Sequence, residues 1–245
     1  MKKISVVGIG PGGFEEMTPK ARRAIESAEV VAGYNTYIKL IEEILGEKKI
    51  IGRAMMQEVE RSQLAIQEAL SGRNVAVISS GDAGVYGMAG LVLEMILDLP
   101  EKNRPQLEII AGVSAVNAAA AILGAPLMHD FAIISLSDLM TPWELIKKRV
   151  YSAAEADFVI ALYNPKSKRR VNQIIEVQQI LLQFRKKNTP VGIVTNAGRE
   201  NQKKIISTLE NFTQEDINMF SLVIIGNSQT FIKENFMITP RGYSI

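Results

Sequence analysis

Short apolar runs of strand length alternate with helical patterns along the chain, and this alternation restricts the fold more than any other feature. Strand-like runs cover Ile4–Ile9, Val30–Ala32, Lys49–Ile51, Val75–Ser79 and Leu107–Ile110. Between them lie a helix opened by Thr18-Pro19, then Tyr37–Leu45, Glu58–Leu70 and Val85–Leu97. Thr18 is a good N-cap and Pro19 suits a first helical turn, with Ala21, Ala24, Ile25 and Ala28 on one face. Gly72 stands where a helix C-terminus favours glycine. After a helix over Ser114–Leu123 the rhythm repeats. Strands are expected over Ala132–Leu136, Phe158–Tyr163, Val191–Thr195, Lys204–Leu209 and Leu222–Gly226, with Phe236–Arg241 as an edge strand. Helices are expected over Pro142–Tyr151 and Arg170–Lys186. The pattern predicts an α/β architecture with mixed, largely parallel sheets. About ten strands suit two five-stranded sheets better than one. The seam falls near Ala111-Gly112, which gives two α/β domains, 1–112 and 113–245. An eight-fold barrel suits the length, but uneven strand spacing and the weak Lys204–Leu209 unit argue against it.

Composition closes off several chemistries. Cysteine is absent, which excludes disulfides, thiolate metal sites and cysteine nucleophiles. His129 is the single histidine, so multi-histidine metal sites are excluded. A net charge of +2 is too near neutral to predict nucleic-acid binding. The apolar stretch Val113–Leu127 is interrupted by Asn117, Gly124 and Pro126, and a bilayer needs about 20 apolar residues. No membrane association is expected. With no targeting segment to read, a cytoplasmic protein is expected.

Two glycine loops follow strands. Gly8-Ile9-Gly10-Pro11-Gly12-Gly13 satisfies G-x-G-x-x-G, but its helix starts late, at Thr18-Pro19, and Glu29 precedes its strand where a ribose-binding acid should follow one. This disfavours a dinucleotide site. A tight turn needing glycine is the plain alternative. The second loop, Ser79-Ser80-Gly81-Asp82-Ala83-Gly84-Val85-Tyr86-Gly87, joins a strand end to a helix start, where open α/β sheets bind ligands. Asp82 either offers a ligand one negative charge or caps the helix. The two loops together suggest one shared cleft.

Val6-Val7-Gly8-Ile9-Gly10-Pro11-Gly12 with Met17-Thr18, Ser80–Gly87, and Gly112-Val113-Ser114-Ala115 with Gly124-Ala125-Pro126-Leu127 resemble three signatures of the tetrapyrrole methylases. His129-Asp130-Phe131, Ile134–Leu139, Thr141–Glu144, Leu162-Tyr163-Asn164-Pro165 with Ser167 and Arg169, and Ile225-Gly226-Asn227-Ser228 resemble the subgroup that methylates precorrin-3B at C17. The resemblance covers essentially the whole chain. It implies two α/β domains, the first bearing the glycine loops and a tetrapyrrole trough, with S-adenosylmethionine (SAM) in the cleft between them and dimer contacts from the second. It implies a homodimer and C17 methylation of precorrin-3B or its cobalt-bound counterpart, with ring contraction, in cobalamin biosynthesis. S-adenosylhomocysteine (SAH) would be the product. Cobalt, where present, would arrive in the substrate, and no protein-bound metal is expected. Methylation at another ring position such as C11 or C20, a diphthine synthase, and a non-catalytic SAM- or tetrapyrrole-binding module stand as alternatives.

By position, the resemblance implies cofactor contacts from Gly10, Pro11, Gly81, Asp82, Val85, Ser114, Ala115, Leu162, Tyr163, Ala197, Gly226 and Asn227. The substrate's carboxylate arms want cations and N–H donors. Candidates for the substrate are Gly12, Arg53, Ser135, Ser137, Asp138, Lys166, Arg169 and Arg199, with Lys168 and Arg170 in the same basic run. That run reads equally well as a solvated face. Ring contraction calls for an acid or base. His129 beside Asp130 is the candidate catalytic pair, with Asp138, Thr141 and Glu144 behind it, although a lone histidine is commonly structural. Trp143 either stacks on the macrocycle or anchors a helix start.

Overall fold

The computed structural model describes residues 3–54 and 56–244. It divides into two units, Met1–Ala115 and Val116–Ile245. The first contains β1 (Lys3–Gly8), α1 (Pro19–Glu26), β2 (Val30–Tyr34), α2 (Asn35–Lys39), β3 (Lys49–Arg53), α3 (Glu58–Leu70), β4 (Asn74–Ser79), α4 (Ala89–Leu97) and β5 (Gln106–Ile110). Its sheet runs β3-β2-β4-β1-β5, with every pairing parallel. After their first residues β1 and β4 are buried throughout, which explains their unbroken apolar sequence. Alternate residues serve opposite faces. Val6 and Val77 join a cluster with Ala65, Ala69 and Val92, while Val7 and Ile78 join one with Ala21 and Ile25. Each fully buried valine, leucine or isoleucine contributes about 1.5–3 kcal/mol. Thr18 caps α1 as expected, its Oγ1 accepting the Ala21 N–H at 3.1 Å.

The second unit takes all but the first residue of α5 (Ala115–Leu123), then β6 (Gly124–Ala125), β7 (Phe131–Ser135), α6 (Trp143–Glu155), β8 (Val159–Tyr163), α7 (Gln173–Leu181) and β9 (Pro190–Thr195). Next come β10 (Lys203–Thr208), β11 (Ser221–Ile225), β12 (Phe231–Lys233) and β13 (Phe236–Ile238). Its main sheet runs β10-β9-β11-β8-β7, and a small sheet runs β12-β13-β6. Leu162, Val177, Ile193, Phe212 and Val223 lie in its core.

The α/β fold with two five-stranded sheets agrees with expectation, but the second sheet is not largely parallel. Only β7 and β8 pair in parallel; β8–β11, β11–β9 and β9–β10 are antiparallel. A parallel neighbour needs a crossover of a dozen or more residues. Between β9 and β10 lies instead a short turn with Asn196 at φ 55° and Gly198 at φ 70°.

Other boundaries also moved. α4 begins at Ala89 rather than Val85, because Tyr86 at φ 54° breaks helical geometry. The expected helix over Tyr37–Leu45 breaks at Ile41 into a 3-10 turn over Glu42–Ile44. α7 is shorter than Arg170–Lys186. The tail forms a hairpin whose turn, Glu234 and Asn235 at φ 49° and 65°, has the positive φ pair of a tight two-residue loop without any glycine.

Candidate functional site

Two neighbouring strands of the first sheet end where open α/β sheets bind ligands. The chain leaves β1 toward β2 and leaves β4 toward β5, in opposite directions, so the carboxyl ends of this pair form a topological switch point. Gly10 and Gly81 lie there. The Gly10 N–H donates to Gly81 O at 3.1 Å, and the Gly81 N–H donates to Gly10 O at 2.7 Å. Both occupy the left-handed region, at φ 80° and 69°, which glycine enters without steric cost. Gly8 and Gly112 approach so closely that neither admits a side chain. A Cβ on Gly8 would stand 2.7 Å from both Gly112 N and Gly81 O, and one on Gly112 would stand 2.6 Å from Gly8 O. The ends of β1, β4 and β5 are therefore joined through bare backbone.

Asp82 locks this cradle. Its Oδ1 accepts the Gly84 N–H at 2.8 Å and its Oδ2 accepts the Gly112 N–H at 2.9 Å. The Ser79 hydroxyl oxygen accepts the Met88 N–H at 3.0 Å and holds the far end of the loop. Pro11, Gly12 and Ser114 are buried, and Val85 and Ala115 half-buried. The position of a Gly81 Cβ lies 3.5 Å from Ala115 N. Gly10, Pro11, Gly12, Gly81, Asp82, Val85, Ser114 and Ala115 thus gather at one end of the first sheet. Arg53 ends the edge strand β3, pairs with Glu60 at 3.1 Å and donates to Gly52 O, which sets it apart from the cradle.

In the second unit the carboxyl ends of β7, β8 and β9 share one end of the sheet with the start of β11: Ser135 pairs with Tyr163, and Thr195 with Ser221. Leu162 is buried there, and the Tyr163 hydroxyl accepts the Val116 N–H at 3.0 Å, fixing the first turn of α5. Ala197 is the second residue beyond β9. Ser135 Oγ accepts from Ser137 N–H at 3.2 Å and from the Asn164 amide at 2.9 Å. Asp138 Oδ2 accepts from Gln173 at 3.1 Å, and its Oδ1 lies 3.6 Å from Arg170 Nε.

The basic run divides. Arg170 is buried and donates to Leu136 O at 2.8 Å and Asn164 O at 2.9 Å, so it is an internal brace rather than a rim cation. Burial pulls its pKa down, and Asp138 partly restores it. Lys168 and Arg169 are exposed, and Lys166 and Arg199 half-buried.

The second sheet does not bring all its candidates together. Because β11 is antiparallel, Gly226-Asn227 lies at the end opposite Leu162-Tyr163 and Ala197. Gly226 O accepts from Arg185 at 2.5 Å, and Asn227 Oδ1 accepts from Gln229 N–H and Thr230 Oγ1, both at 3.1 Å. Arg185 also reaches Phe158 O, and burial lowers its pKa to about 10 against the opposing influence of Asp157. His129 and Asp130 precede β7, at that same far end, with side chains 46% and 81% exposed. His129 Nδ1 accepts the Asp130 N–H at 2.9 Å, so neutral His129 carries its proton on Nε2. Glu144 pairs with Lys147 at 2.7 Å. Trp143 packs against the second unit's core and donates to Glu176 at 2.9 Å, as a helix-start anchor does. Among the described residues no cluster of three or more His, Asp or Glu side chains is arranged to hold a metal, and no helix is long and apolar enough to cross a membrane.

A glycine-built junction at a switch point is the mark of a ligand-binding α/β protein. The chain belongs to the family of Tetrapyrrole (Corrin/Porphyrin) Methylases, whose pattern it matches over residues 3–213. It is 51% identical over 243 residues to the cobalt-factor III methyltransferase of Priestia megaterium, covering 98% of this chain but 45% of that protein. It is 49% identical to the probable cobalt-factor III C(17)-methyltransferase of Salmonella typhimurium, covering 99% of this chain and 100% of that one. The crystal structure of the methyltransferase CobJ superposes with a TM-score of 0.90 at 33% identity, covering 98% of this chain and all of the other.

Proposed function

We propose that this chain is a SAM-dependent methyltransferase that acts at C17 of cobalt-factor III or of metal-free precorrin-3B, with ring contraction, in cobalamin biosynthesis. The observation that carries the reading is the glycine-built junction at the carboxyl ends of β1, β4 and β5, where Gly10 and Gly81 hold left-handed backbone and Gly8 and Gly112 leave no room for a side chain. Such a surface offers backbone polar groups without bulk, which suits a charged sulfonium ligand approached closely. The half-identical relatives named for cobalt-factor III favour the cobalt-bound substrate.

SAM supplies an activated methyl, and the protein's work is placement. Once bound, SAM would give that methyl to a macrocycle carbon and leave as SAH, the C–S electron pair staying on sulfur, and the residues of both units would hold it in place. Gly10, Pro11, Gly81, Asp82, Val85, Ser114 and Ala115 in the first unit, and Leu162, Tyr163 and Ala197 in the second, are the proposed cofactor contacts. Gly226 and Asn227 carry that role only by the resemblance, since their polar atoms already close their own loop. Lys166, Arg169 and Arg199 are the proposed partners of substrate carboxylates, with Gly12, Arg53, Ser135, Ser137 and Asp138 as further contacts. His129, with Asp130, is the proposed acid–base pair: Nδ1 accepts the Asp130 N–H, which leaves the proton of the neutral ring on Nε2. A cytoplasmic homodimer without a protein-bound metal completes the reading.

Calorimetric titration with SAH, with NAD in parallel, tests it. Micromolar SAH binding without an NAD response is expected, and Asp82→Lys should abolish SAH binding while leaving the circular dichroism spectrum native. Binding of NAD alone sinks the proposal.

A further inference from the structure

Among the described residues three arginines are buried, and the fold treats one of them differently. Arg170 and Arg185 each donate to two backbone carbonyls. Arg61, on α3, is 3% exposed, yet its Nε and Nη1 have no hydrogen-bond partner. Its Nη2 donates to the thioether sulfur of Met88 at 3.3 Å, a weak acceptor. Glu58 and Tyr37 act on Arg61 through space, against the stronger opposing effect of burial. The Glu58 carboxylate itself accepts the Met56 N–H at 3.1 Å. A buried guanidinium with two unmatched nitrogens is unfavourable unless something completes its shell.

Its position indicates what completes it. Met88 is the residue at which the Ser80–Gly87 loop passes into α4, and its N–H is tied to Ser79. Arg61 therefore stands one side chain away from the loop that carries Gly81 and Asp82. Nη2 has a second N–H besides the one given to Met88, so one edge of the guanidinium, Nη2 with Nη1 or Nη2 with Nε, can still take both oxygens of a carboxylate.

We propose that Arg61 is a carboxylate receptor of the methyl-transfer site, filled when the ligand binds. This rests on the methyltransferase reading. Two ligands of that reaction carry carboxylates: the macrocycle, on its acetate and propionate arms, and SAM, at its amino-acid end. Both offer Arg61 the same chemistry.

Arg61→Met and Arg61→Lys separate the possibilities, with three readouts: the thermal midpoint of the ligand-free chain, the SAH dissociation constant, and the affinity for uroporphyrin III, a stable tetrapyrrole bearing acetate and propionate arms. Arg61→Met is expected to keep or raise the ligand-free midpoint, because it removes an unpaired charge, and to weaken one ligand at least tenfold. Arg61→Lys, which keeps the charge but not the fork, should recover part of that affinity. Selective loss of porphyrin assigns the receptor to the substrate arms; selective loss of SAH assigns it to the cofactor. Unchanged affinity for both ligands overturns the proposal, as does a ligand-free midpoint that collapses in Arg61→Met. If the wild-type chain binds neither ligand, the methyltransferase reading itself fails.

Discussion

Gly112→Ala probes the backbone junction at the heart of the first unit. The new Cβ would lie 2.6 Å from Gly8 O, 2.7 Å from Gly8 C and closer still to Gly81 O. Even attractive C–H···O contacts keep carbon and oxygen about 3.3–3.6 Å apart, so the end of β1 must retreat by roughly 0.7 Å and the Gly81 carbonyl beyond β4 by more. The obstacles are main-chain atoms, and no rotamer relieves them. Retreat pulls the Gly112 N–H away from Asp82 and strains the paired bonds between Gly10 and Gly81. A hydrogen bond to a charged group is worth about 1.5–3 kcal/mol and a backbone bond about 0.5–1.5 kcal/mol, so the expected loss is about 3–5 kcal/mol. At roughly 2–4 °C per kcal/mol for a chain this long, the unfolding midpoint should fall by about 6–20 °C. Gly90→Ala is the control. It lies in α4 with nothing within 4 Å of its Cβ position, and should gain about 0.5–1 kcal/mol from helix propensity. Urea and thermal unfolding followed by circular dichroism would measure both variants. A Gly112→Ala protein within about 0.5 kcal/mol of wild type would refute the junction as described.

Three further outcomes are expected. Lys20 and Lys3, each 2.8 Å from Glu108, hold its carboxyl at about 2, below the usual 4.5. A depressed folded-state pKa stabilises above the unfolded value, and that stabilisation is lost as pH falls through the folded one. The advantage of wild type over Glu108→Gln, about 0.5–1 kcal/mol for such a solvent-screened pair, should therefore hold at neutral pH and shrink on acidification from about 4.5 toward 2. Urea unfolding at several pH values would show it, and an advantage that grows in acid contradicts the assignment. Tyr163→Phe should cost about 1 kcal/mol and speed hydrogen exchange at the Val116 amide, whose acceptor it removes; unaltered exchange there would count against it. His129→Ala should slow turnover without weakening SAH binding, measured by steady-state kinetics beside calorimetry. Unchanged turnover would make His129 a surface residue.

Burial was legible in the sequence, and strand direction was not. β1 and β4 read as continuous apolar runs because both faces of a parallel sheet are covered. β9 and β11 look the same in sequence, equally buried, yet run antiparallel to each other. Hydrophobic periodicity reports what a strand packs against, not which way its neighbour points. The resemblance grouped Gly226-Asn227 with Leu162-Tyr163, and nothing in the apolar pattern showed that the sheet puts them at opposite ends. The glycine loops were legible because a Cβ-free junction has only one residue that can build it. Asp82 could be read as a cap or as a ligand charge, but its bond to Gly112, thirty residues on, had no local signature. Arg61 escaped notice because an arginine on an amphipathic helix normally faces water. The signal was its spacing, since Arg61, Ala65 and Ala69 recur every four residues on the buried face.

The pairing of Met237 with Gly124 sets a timetable for synthesis. Every strand of the first sheet has left the ribosome once Ile110 has emerged, so that sheet assembles while the second unit is still being made. Gly124 and Ala125 must instead wait, their edge unpaired, until Phe236–Ile238 arrive from the far side of the whole second sheet. Closing so long a loop is slow, although the entropy added per residue is small. A chain halted before Phe236 would carry a finished first sheet beside a second unit whose small sheet never closes, and quality control by proteolysis should recognise it there.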